Sequence, residues 1–543
     1  MTDRQVAVVT GGGGGIGAAV AAELGRAGWF VVTIDPLVTV DGAERMADQT
    51  ETTADRIVAA GGAARASSAS VTDGPAVASV FGDVVAEHGR LDAVVNVAGI
   101  SRPTGYGRGS EEDWRAVLDV HLNGYLNVLA AALPIMAAAG RGTIVGVTSG
   151  SGWRAADAGA YSRAKRAVAA LTWQLSRQAP AGVTINAMSP IAATRMVLGA
   201  LSRAPAATGT PSPQATGGLS LASMPPPEEL GPFGAHMASE RFAWCNGRVL
   251  FAAGSEVAVI DEPRLLEVVS TGTAAPLGPL LGDVISRAFG PAEAGQAYQG
   301  GSNARFGDAF AAGPATAAEP GPVRACAVVT DGATSIEAVV AALEQRSIAC
   351  HRLDHTAGFD AASRALGRLE GIDAVVVALG GGPPAATGEP WERILDEHRG
   401  LVDAIHADST WSRAAADTAK ASDRALRLVT LTDATTAGGT SRAQSSAQAA
   451  RVAGGSTKGG VTAFSVSVEG GGGDATGELV AQLLTHPEAG GLAGAELAVG
   501  DGWIGLRSHP RPLGGVAYGG PAIPTWLDTA LREITGRSSE EAT

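Results

Sequence analysis

Two residues four positions apart give the clearest indication of chemistry in this sequence. Tyr161 stands in the stretch YSRAK with Lys165, the first of only three lysines among the 40 Lys and Arg of the 543-residue chain. On a helix, residues four apart share a face, so the ammonium would lie about one turn from the phenol. At about 6 Å and an effective dielectric near 20, that charge is worth about 3 kcal/mol, which lowers a phenol pKa by about 2. The spacing therefore predicts a phenol whose pKa is lowered by a neighbouring ammonium.

A glycine-rich turn near the N-terminus would hold a nucleotide. The stretch TGGGGGIG, residues 10–17, lies between a predicted strand and a predicted helix. Glycines there permit a tight turn and let backbone N–H groups approach a pyrophosphate at the helix N-terminus. Because the chain has 75 glycines, the position after the first strand carries more weight than the glycines themselves. The residues predicted to contact the cofactor here are Thr10, Gly11, Gly15, Ile16 and Gly17.

Two polar residues at strand ends extend this site. Asp35 ends the second predicted strand, where a carboxylate accepts both ribose hydroxyl protons and repels the additional phosphate of NADP. The sequence therefore predicts NAD, with NADP disfavoured; the alternative is a surface Asp that starts a turn before Pro36. Asn96 ends the fourth strand in the run Asn96-Val97-Ala98-Gly99, where its amide would brace neighbouring strands beside the adenosine half of the cofactor.

The elements that must position these residues follow a regular pattern. Short β-branched runs alternate with alanine-rich helical runs up to about residue 262. This alternation predicts βαβ units, and hence an α/β fold with a doubly wound parallel sheet covered on both faces. Residues 203–227, rich in Pro, Gly, Ser and Thr, interrupt the pattern as an excursion.

The same pattern begins again after residue 321. Residues 328–343 align with the text from Val8, residues 371–381 with 90–100, and 444–448 with YSRAK, in the same order. Matches in a preserved order indicate an internal repeat of domain size. The second copy is shorter mainly because it lacks the stretch after the second strand. We predict a catalytic domain over 1–262, a connector over 263–321 and a second copy over 322–543.

Taken together, these residues resemble the short-chain dehydrogenase/reductase family. The resemblance covers residues 5–260 and implies a Rossmann-like sheet. It rests on motifs in the family's order, which are Thr10-Gly-x-x-x-Gly-Ile-Gly17, Asn96-x-Ala98-Gly99, Ser149, Tyr161-x-x-x-Lys165 and Asn186…Pro190…Thr194. It implies that Tyr161 exchanges a proton with the substrate oxygen while the nicotinamide exchanges a hydride with its carbon. It also implies that Tyr161 and Lys165 belong to the cofactor-binding residues, with Lys165 binding the nicotinamide ribose.

The resemblance assigns further roles around the tyrosine. Ser149 would orient the substrate oxygen. It stands twelve residues before Tyr161, where thirteen is the commonest family spacing, so Thr148 and Ser151 remain alternatives. Pro190 and Thr194 resemble the segment that anchors the nicotinamide carboxamide, with Ile191 in place of the usual glycine.

Two departures from the family pattern stand out. His121 lies in the text VHLNG, where the family commonly has an asparagine that holds a water in a proton relay. Two interpretations stay open, a core histidine and a relay member that carries a proton itself. The text resembles the dehydrogenase part of peroxisomal multifunctional β-oxidation enzymes, which favours hydroxyacyl-thioester chemistry. Ser70, before Val71, replaces an aspartate that often contacts adenine.

The substrate pocket would include residues between Ser149 and Tyr161. Trp153, Arg154 and Asp157 lie there. Arg154 either meets an anionic substrate or is a solvated loop arginine.

The second copy has lost the residues that the chemistry needs. Alignment of the two copies places Asp331, Ser335 and Glu337 at the positions of the turn glycines, and Val377 at the position of Asn96. It places Gln444 and Gln448 over Tyr161 and Lys165, so neither a titratable phenol nor an ammonium remains. We predict a fold without a redox site, packed on the first copy as an intrachain pseudo-dimer, with two chains then forming a homo-oligomer.

Bulk composition excludes several classes of partner. A net charge of −14 and a pI near 5.2 argue against a nucleic-acid or anionic-membrane surface. Cys245, Cys326 and Cys350 have no metal-ligand spacing and suggest no disulfide framework, so we expect no metal and a reducing compartment. The apolar stretch 128–140 is too short to span a bilayer. We therefore expect a cytoplasmic protein.

The leading hypothesis is an NAD-dependent oxidoreductase for a secondary alcohol or ketone. Its substrate would be a hydroxyacyl-CoA, a steroid or another cyclic alcohol, and the reaction direction stays open. The alternative is a non-enzymatic NAD-binding sensor or scaffold.

Overall fold

The computed structural model contains two sheets, each with helices packed on both faces. It describes residues 4–46, 51–154, 157–203, 224–272, 276–296, 321–332, 336–356, 358–382, 384–385, 387–471 and 473–536. Most of the predicted excursion at 203–227 therefore lies outside the described residues.

The first half of the chain alternates strands and helices as the sequence predicts. Its strands are β1 (Val6–Thr10), β2 (Phe30–Ile34), β3 (Ala63–Ser67), β4 (Ala93–Asn96), β5 (Gly142–Val147), β6 (Val183–Pro190), β7 (Val249–Ala253) and β8 (Glu256–Ile260). Its helices are α1 (Gly15–Arg26), α2 (Thr53–Ala59), α3 (Gly74–His88), α4 (Glu111–Leu118), α5 (Gly124–Ala139), α6 (Ala160–Arg177), α7 (Arg195–Arg203) and α8 (Gly231–Met237).

The remainder of the chain repeats this alternation. Its strands are β9 (Leu265–Ser270), β10 (Ala325–Thr330), β11 (Ala349–Asp354), β12 (Ala374–Leu379), β13 (Leu426–Asp433), β14 (Val461–Val468), β15 (Glu496–Gly500), β16 (Trp503–Arg507) and β17 (Pro512–Ala517). Its helices are α9 (Leu277–Val284), α10 (Gly290–Gln296), α11 (Glu337–Glu344), α12 (Phe359–Gly367), α13 (Pro390–Glu397), α14 (Leu401–Ser422), α15 (Ala437–Ser456), α16 (Gly473–Thr485) and α17 (Leu527–Ile534).

The strand orders confirm the predicted fold class. The first sheet runs β17-β8-β7-β6-β5-β4-β1-β2-β3 and the second β11-β10-β12-β13-β14-β15-β16-β9. All neighbouring pairs are parallel except those of the last strands at one end of each sheet. The two sheets fit two tandem α/β units, and the second lacks a counterpart of β3. In each, the strand order reverses beside the first strand, which opens a crevice at the carboxyl ends of the strands.

The two sheets exchange their last strands. β8 of the first sheet pairs antiparallel with β17, which follows β16 in the chain. In return, β16 of the second sheet pairs antiparallel with β9, which follows β8. We call the first sheet with its helices the first unit, and the second sheet with its helices the second unit. Each unit therefore takes one edge strand from the far side of the predicted domain boundary.

This exchange differs from the predicted division of the chain. The segment 263–321, expected to be a connector, contains β9, α9 and α10, and β17 of the predicted second copy lies in the first unit. The physical reason is that β8 and β16 would otherwise have unpaired edges. The apolar strand that follows β8 pairs with the edge of β16, and the apolar strand that follows β16 pairs with the edge of β8. Helix α17 also joins the first unit, because Leu527 and Leu531 are fully buried in the core beside α1 and α8.

The two units share a packed face. Helix α6 lies along α15, and the core around α4 and α5 includes Phe359, Trp391 and Leu401 from the second unit. A buried ion pair joins the units, in which the Arg166 guanidinium on α6 contacts the Glu496 carboxylate on β15. Gln444 on α15 accepts a hydrogen bond from Arg166 Nε at 2.8 Å and donates one to Glu496 at 2.9 Å.

One helical stretch of the described residues passes a length and composition test for a membrane span. It is Glu111–Ala139, which covers α4, the π-helical turn Asp119–Asn123 and α5. Its side chains Val117, Val128 and Leu133 are fully buried in the core of the first unit. Core helices of globular domains have the same composition.

Candidate active site

The glycine turn between β1 and α1 forms a cradle with no room for a side chain on two of its own residues. Gly11 has φ +65°, and a Cβ there would lie 2.8 Å from the Ala98 nitrogen. A Cβ on Gly17 would lie 2.2 Å from the Gly11 carbonyl oxygen. Both distances are far inside van der Waals contact, so the turn requires glycine at both positions. The tight glycine turn therefore leads directly into the N-terminus of α1, where a dinucleotide pyrophosphate would bind.

The Asp35 carboxylate lies beside this turn. Its Oδ2 accepts a hydrogen bond from Gly13 N at 2.8 Å, and its Oδ1 accepts one from Leu37 N at 2.8 Å. The alternative of a surface Asp that only starts a turn accounts for the Leu37 contact alone. The contact with Gly13 brings the carboxylate to the cradle, where it would meet the ribose of a bound nucleotide.

The strand ends around the cradle are joined by polar side chains. Thr10 Oγ1 donates to Asn96 Oδ1 at 2.7 Å and accepts from Ala98 N at 3.3 Å, so Asn96 braces β1 against β4 as the sequence predicts. Ser70 Oγ shares a hydrogen bond with Thr72 Oγ1 in the turn after β3. The carbonyl of Val71 accepts a hydrogen bond from Asn127 Nδ2 at 2.9 Å, which fixes this turn on α5. Ile16 packs partly buried against the core below α1.

Tyr161 and Ser149 meet where the carboxyl end of β5 lies beside the first turn of α6. Tyr161 is the second residue of α6, and Ser149 follows β5. Burial raises the pKa of the Tyr161 phenol, while a hydrogen bond with Ser149 and the charge of Arg154 act in the opposite direction. The pKa of the phenol is therefore raised and not lowered as the spacing predicts, because burial outweighs the Ser149 hydrogen bond and the Arg154 charge.

Lys165 lies on the same face of α6 as Tyr161. Its Nζ is 5.6 Å from the centre of the Tyr161 ring and donates a hydrogen bond to the Val147 carbonyl at 2.6 Å. Burial lowers the pKa of Lys165 to about 7. The spacing argument is correct in placing the two side chains together, while the ammonium is partly deprotonated at neutral pH.

His121 lies in the π-helical turn between α4 and α5, directly against Tyr161. The two rings meet edge to face with centres 5.0 Å apart. His121 Nε2 donates to the Ile100 carbonyl at 2.9 Å, which assigns the proton to Nε2 and leaves Nδ1 as a buried acceptor without a partner among the described residues. Burial and the charge of Lys165 lower the pKa of His121 well below its usual value. The imidazole is therefore neutral, which disfavours a stable protonated relay state.

Gly99 provides the space for this histidine. A Cβ on Gly99 would lie 2.4 Å from His121 Cε1, so a larger residue would displace the ring. Insertions that form a π-helical turn are frequent at functional sites.

The two alternatives to Ser149 both have hydrogen-bond partners other than Tyr161. Thr148 is buried, and its hydroxyl donates to the Lys165 carbonyl at 2.6 Å. Ser151 Oγ shares a hydrogen bond of 2.9 Å with Ser149 Oγ, which orients the Ser149 hydroxyl. Of the three hydroxyls, Ser149 is the one that reaches Tyr161.

The segment after β6 returns to the glycine turn. Pro190 ends β6, and Ile191 N donates to the Ala252 carbonyl at 2.9 Å, which continues the pairing with β7. The methyl group of Thr194 lies 3.6 Å from the Cβ position of Gly15. Arg195, which the sequence analysis did not single out, lies over Gly14, with Nη2 2.9 Å from that residue's Cβ position. No motif marks it, because its place depends on how the segment folds back.

Three residues of the loop before α6 lie in different environments. Trp153 is buried in a core cluster with Trp173. Asp157 accepts hydrogen bonds from the backbone nitrogens of Tyr106 and Gly159, so its role is to hold the loop. The Arg154 guanidinium lies over Gly150, with Nε buried and without a hydrogen-bond partner in the described part of the chain. Arg154 is thus partly buried, with its Nε withdrawn from solvent.

A cavity of 460 Å³ lies along the outer side of α1. It is lined by the glycine turn, by Thr53, Arg56 and Ile57 of α2, and by Arg195. It does not include Ser149 or Tyr161, so it is separate from the reacting groups.

The corresponding crevice of the second sheet is filled by protein groups. Arg442 and Asp408 form a buried bidentate ion pair, with N–O distances of 2.9 and 2.7 Å. Arg442 also donates to the Gly380 carbonyl beyond β12 at 2.6 Å. Asp331 accepts a hydrogen bond from Gly380 N at 2.9 Å. These groups satisfy one another where a nucleotide would enter.

The sequence alignment of the two copies needs two corrections. Strand register places Val377 opposite Val329, as Asn96 is opposite Thr10. Thr330 rather than Asp331 therefore corresponds to Gly11, and both polar members of the Thr10–Asn96 bond are valines in the second unit. Glu337 starts α11 in a surface pair with Arg352, and Ser335 lies outside the described residues.

The second correction concerns α15. Gln444 and Gln448 face α6 and the loop after β5 of the first unit, not the crevice of the second. Arg442 takes the crevice position instead. The sequence could not show this, because the face that a helix presents depends on the elements against which it packs.

Comparison with known proteins decides the family. The model of the short chain dehydrogenase family matches residues 5–201. The short-chain reductase protein NovJ of Streptomyces niveus is 36% identical over 199 residues, which are 36% of this chain and 72% of the relative. The chain belongs to the short-chain dehydrogenase family. As a short-chain dehydrogenase it is an oxidoreductase that acts on CH–OH groups.

Two further relatives of this short-chain dehydrogenase have names that state a reaction. The acetoacetyl-CoA reductase of Cupriavidus necator is 33% identical over 192 residues, 35% of this chain and 74% of the relative. The peroxisomal hydratase-dehydrogenase-epimerase of Neurospora crassa is 32% identical over 196 residues, 36% of this chain. The chain covers only 22% of the length of that fungal enzyme.

Proposed function

We propose that this short-chain dehydrogenase transfers a hydride between NAD and a secondary alcohol or ketone at the site of Ser149, Tyr161 and Lys165. The observation that supports this most strongly is the convergence of the three side chains in a fold whose first strand ends in a tight glycine turn. Nucleotide sites of doubly wound sheets lie at this place.

The residues of the cradle fit a bound dinucleotide. The turn from Gly11 to Gly17 would hold its pyrophosphate, and Asp35 its adenosine ribose. Asn96, Ala98, Gly99, Ser70 and Val71 would border its adenosine half, and Pro190, Ile191 and Thr194 its nicotinamide end. When bound, the nicotinamide accepts or supplies the hydride. NAD is preferred over NADP because the Asp35 carboxylate repels a phosphate at the ribose 2′ position.

The proton would move through the side chains of α6. In the oxidation direction, Tyr161 Oη accepts the substrate hydroxyl proton while Ser149 Oγ holds the substrate oxygen by a hydrogen bond. The buried phenol must first release its own proton to water, and the positive charge of Arg154 stabilises the phenolate that results. In the reduction direction the same phenol donates the proton to the carbonyl oxygen.

We propose a β-hydroxyacyl or β-ketoacyl thioester as the substrate class. The relatives named for acetoacetyl-CoA reduction and for the hydratase-dehydrogenase-epimerase sequence support it, as does the VHLNG text around His121. A steroid or another cyclic alcohol has no comparable support. We also propose that the second unit has no redox site, that it serves the first as a covalent pseudo-dimer partner, and that the chain works in the cytoplasm as a homo-oligomer.

The test is the variant Tyr161→Phe. It keeps the ring but removes the hydroxyl, so turnover of acetoacetyl-CoA or 3-hydroxybutyryl-CoA should fall by about 10²- to 10⁴-fold. NAD binding, followed by calorimetry, should be unchanged, because the cradle lies on other elements. Tyr518→Phe, in the C-terminal segment, serves as the control. Full turnover in Tyr161→Phe would disprove the assignment, whereas a protein that binds NAD but turns over no substrate even as wild type would be a sensor.

A further inference from the structure

We propose that Gln448, from the second unit, is a positioning residue for the active-site turn Ser149–Arg154 of the first unit. The inference rests on the proposed function. Gln448 Nε2 donates two hydrogen bonds, to the Ser151 carbonyl at 3.0 Å and to the Arg154 carbonyl at 2.9 Å. The side chain is 2% exposed. A residue of the unit without a redox site thus holds the loop that carries two groups of the active one.

The turn depends on an external donor. Its own hydrogen bonds run from the nitrogens of Gly152, Trp153 and Arg154 back to the carbonyls of Ser149 and Gly150. They leave the carbonyls of Ser151 and Arg154 to find partners elsewhere. Buried carbonyls need such partners, and a glutamine amide carries two N–H groups. Gln448 uses both of them on this turn, which fixes the turn at two points.

The positions of the Ser149 hydroxyl and the Arg154 guanidinium both depend on the position of the turn. Ser149 Oγ is tied to Ser151 Oγ at 2.9 Å, and the Ser151 carbonyl is one of the two anchors. The second anchor is the backbone of Arg154, whose guanidinium lies over Gly150 with Nε 3.3 Å from that residue's Cβ position. A displaced turn would therefore move the hydroxyl and the charge that act on Tyr161 together.

A second contact from the same face of α15 supports this role. Gln444 lies one helical turn before Gln448 and accepts a hydrogen bond from Arg166 Nε at 2.8 Å. Arg166 is the residue next to Lys165, so α15 contacts α6 and the active-site turn at adjacent points. The close approach of the turn to α6 is visible at Gly152, where a Cβ would lie 3.0 Å from Arg166 N. The turn is thus held between α6 and α15.

The test is a series at position 448 in the full chain. Gln448→Met keeps length and bulk but removes both N–H donors, and Gln448→Glu places oxygens against two carbonyls. We expect kcat to fall about ten- to hundredfold in Gln448→Met and further in Gln448→Glu, because small misplacements of catalytic groups have effects of this size. The apparent pKa in the pH profile of kcat should rise, since the charge of Arg154 no longer favours the phenolate. The KM for NAD should not change.

Gln482→Met is the matched control. Gln482 lies on α16 of the second unit and donates to the Gly278 carbonyl at 2.8 Å, far from the turn in sequence. It should lower the melting temperature without moving kcat or the pH profile. If Gln448→Met does not fold, Gln448→Asn, which retains the amide but is one methylene short, gives the same readout.

The failures of the two proposals are distinguishable. If Gln448→Met keeps the wild-type kcat and pH profile while Tyr161→Phe is inactive, the positioning role is wrong and the proposed function stands. If Gln448→Met and Gln482→Met lower kcat to the same extent and neither shifts the pH profile, the loss reflects stability alone, and the positioning role is also wrong. If Tyr161→Phe retains turnover, the proposed function itself fails.

Discussion

At the scale of single residues, burial sets the protonation states around the proposed reaction. It raises the pKa of Tyr161, lowers that of Lys165 to about 7 and keeps His121 neutral. The phenol in the structure therefore holds its proton at neutral pH. Catalysis of oxidation then requires positive charge beside the phenol, and Arg154 adds to the charge that the Tyr161–Lys165 spacing alone predicts.

Asp35 allows a direct test of cofactor preference. Asp35→Ser removes the carboxylate that would repel a 2′-phosphate and retains a hydroxyl that can accept the hydrogen bond from Gly13 N. We expect the ratio of kcat/KM for NAD to that for NADP to fall by at least tenfold. Initial rates with each cofactor measure this ratio, and Asp41→Ser in the exposed turn beyond Pro36 serves as the control. An unchanged ratio would mean that Asp35 does not contact the ribose.

The pair of Gly99 and His121 gives a second residue-scale prediction. Gly99→Ala places a methyl group 2.4 Å from His121 Cε1, so we expect a loss of about 1–3 kcal/mol in the free energy of unfolding from overpacking. In the background of His121→Ala, where the ring is absent, the same substitution should cost much less. Urea unfolding of the four proteins measures this coupling. Equal costs in both backgrounds would contradict the contact.

At the scale of elements, the sequence patterns correctly predicted the features that depend on residues close together in the chain. The alternation of strands and helices, the glycine turn and the Tyr161–Lys165 spacing depend on residues close in sequence, and the structure forms each of these elements. The strand exchange and the contact of Gln448 with the active-site turn depend on partners about 230 to 300 residues away. No periodicity marks such partners. The alignment at Gln444 and Gln448 failed for the same reason, since a repeated sequence does not ensure a repeated environment.

The C-terminal segment gives a prediction at this scale. Leu527 on α17 is fully buried in the core of the first unit, whereas Leu513 on β17 is 41% exposed. We expect Leu527→Ala to lower the free energy of unfolding by about 2–5 kcal/mol and Leu513→Ala by less than about 1 kcal/mol. Urea unfolding measures both, and NAD affinity should weaken with the first variant. A mild effect of Leu527→Ala would show that α17 is not part of that core.

At the scale of the whole molecule, a buried charge cluster joins the two units. Burial alone would raise the pKa of Glu496, but the charge of Arg166 and the contacts of His509 and Gln444 lower it to about 2. A carboxyl whose pKa is lower in the folded than in the unfolded chain binds fewer protons when folded. Its contribution to stability is therefore complete above pH 4.5 and is lost as the pH falls from about 4.5 to about 2.

Glu496→Gln tests this contribution. Near pH 7 the variant leaves Arg166 buried without its charge partner, so we expect a loss of about 3–5 kcal/mol in the free energy of unfolding. The difference in melting temperature between the parent protein and the variant should shrink as the pH falls from 6 to 2.5. Glu262→Gln, which breaks a more exposed pair with Arg177 on the same helix, should cost about 1 kcal/mol or less. A pH-independent difference for Glu496→Gln would contradict the assignment.

The strand exchange has a consequence for synthesis on the ribosome. Strand β8 is made by residue 260, but its neighbour β17 appears only after residue 512, and the buried leucines of α17 later still. At elongation rates of about 5–20 residues per second, the nascent first unit would wait roughly ten seconds or more with an open edge and an uncovered apolar patch. An unpaired edge of this kind is an aggregation hazard. The order of these strands along the chain thus exposes the nascent first unit to aggregation for longer than an edge whose partner strand follows it directly.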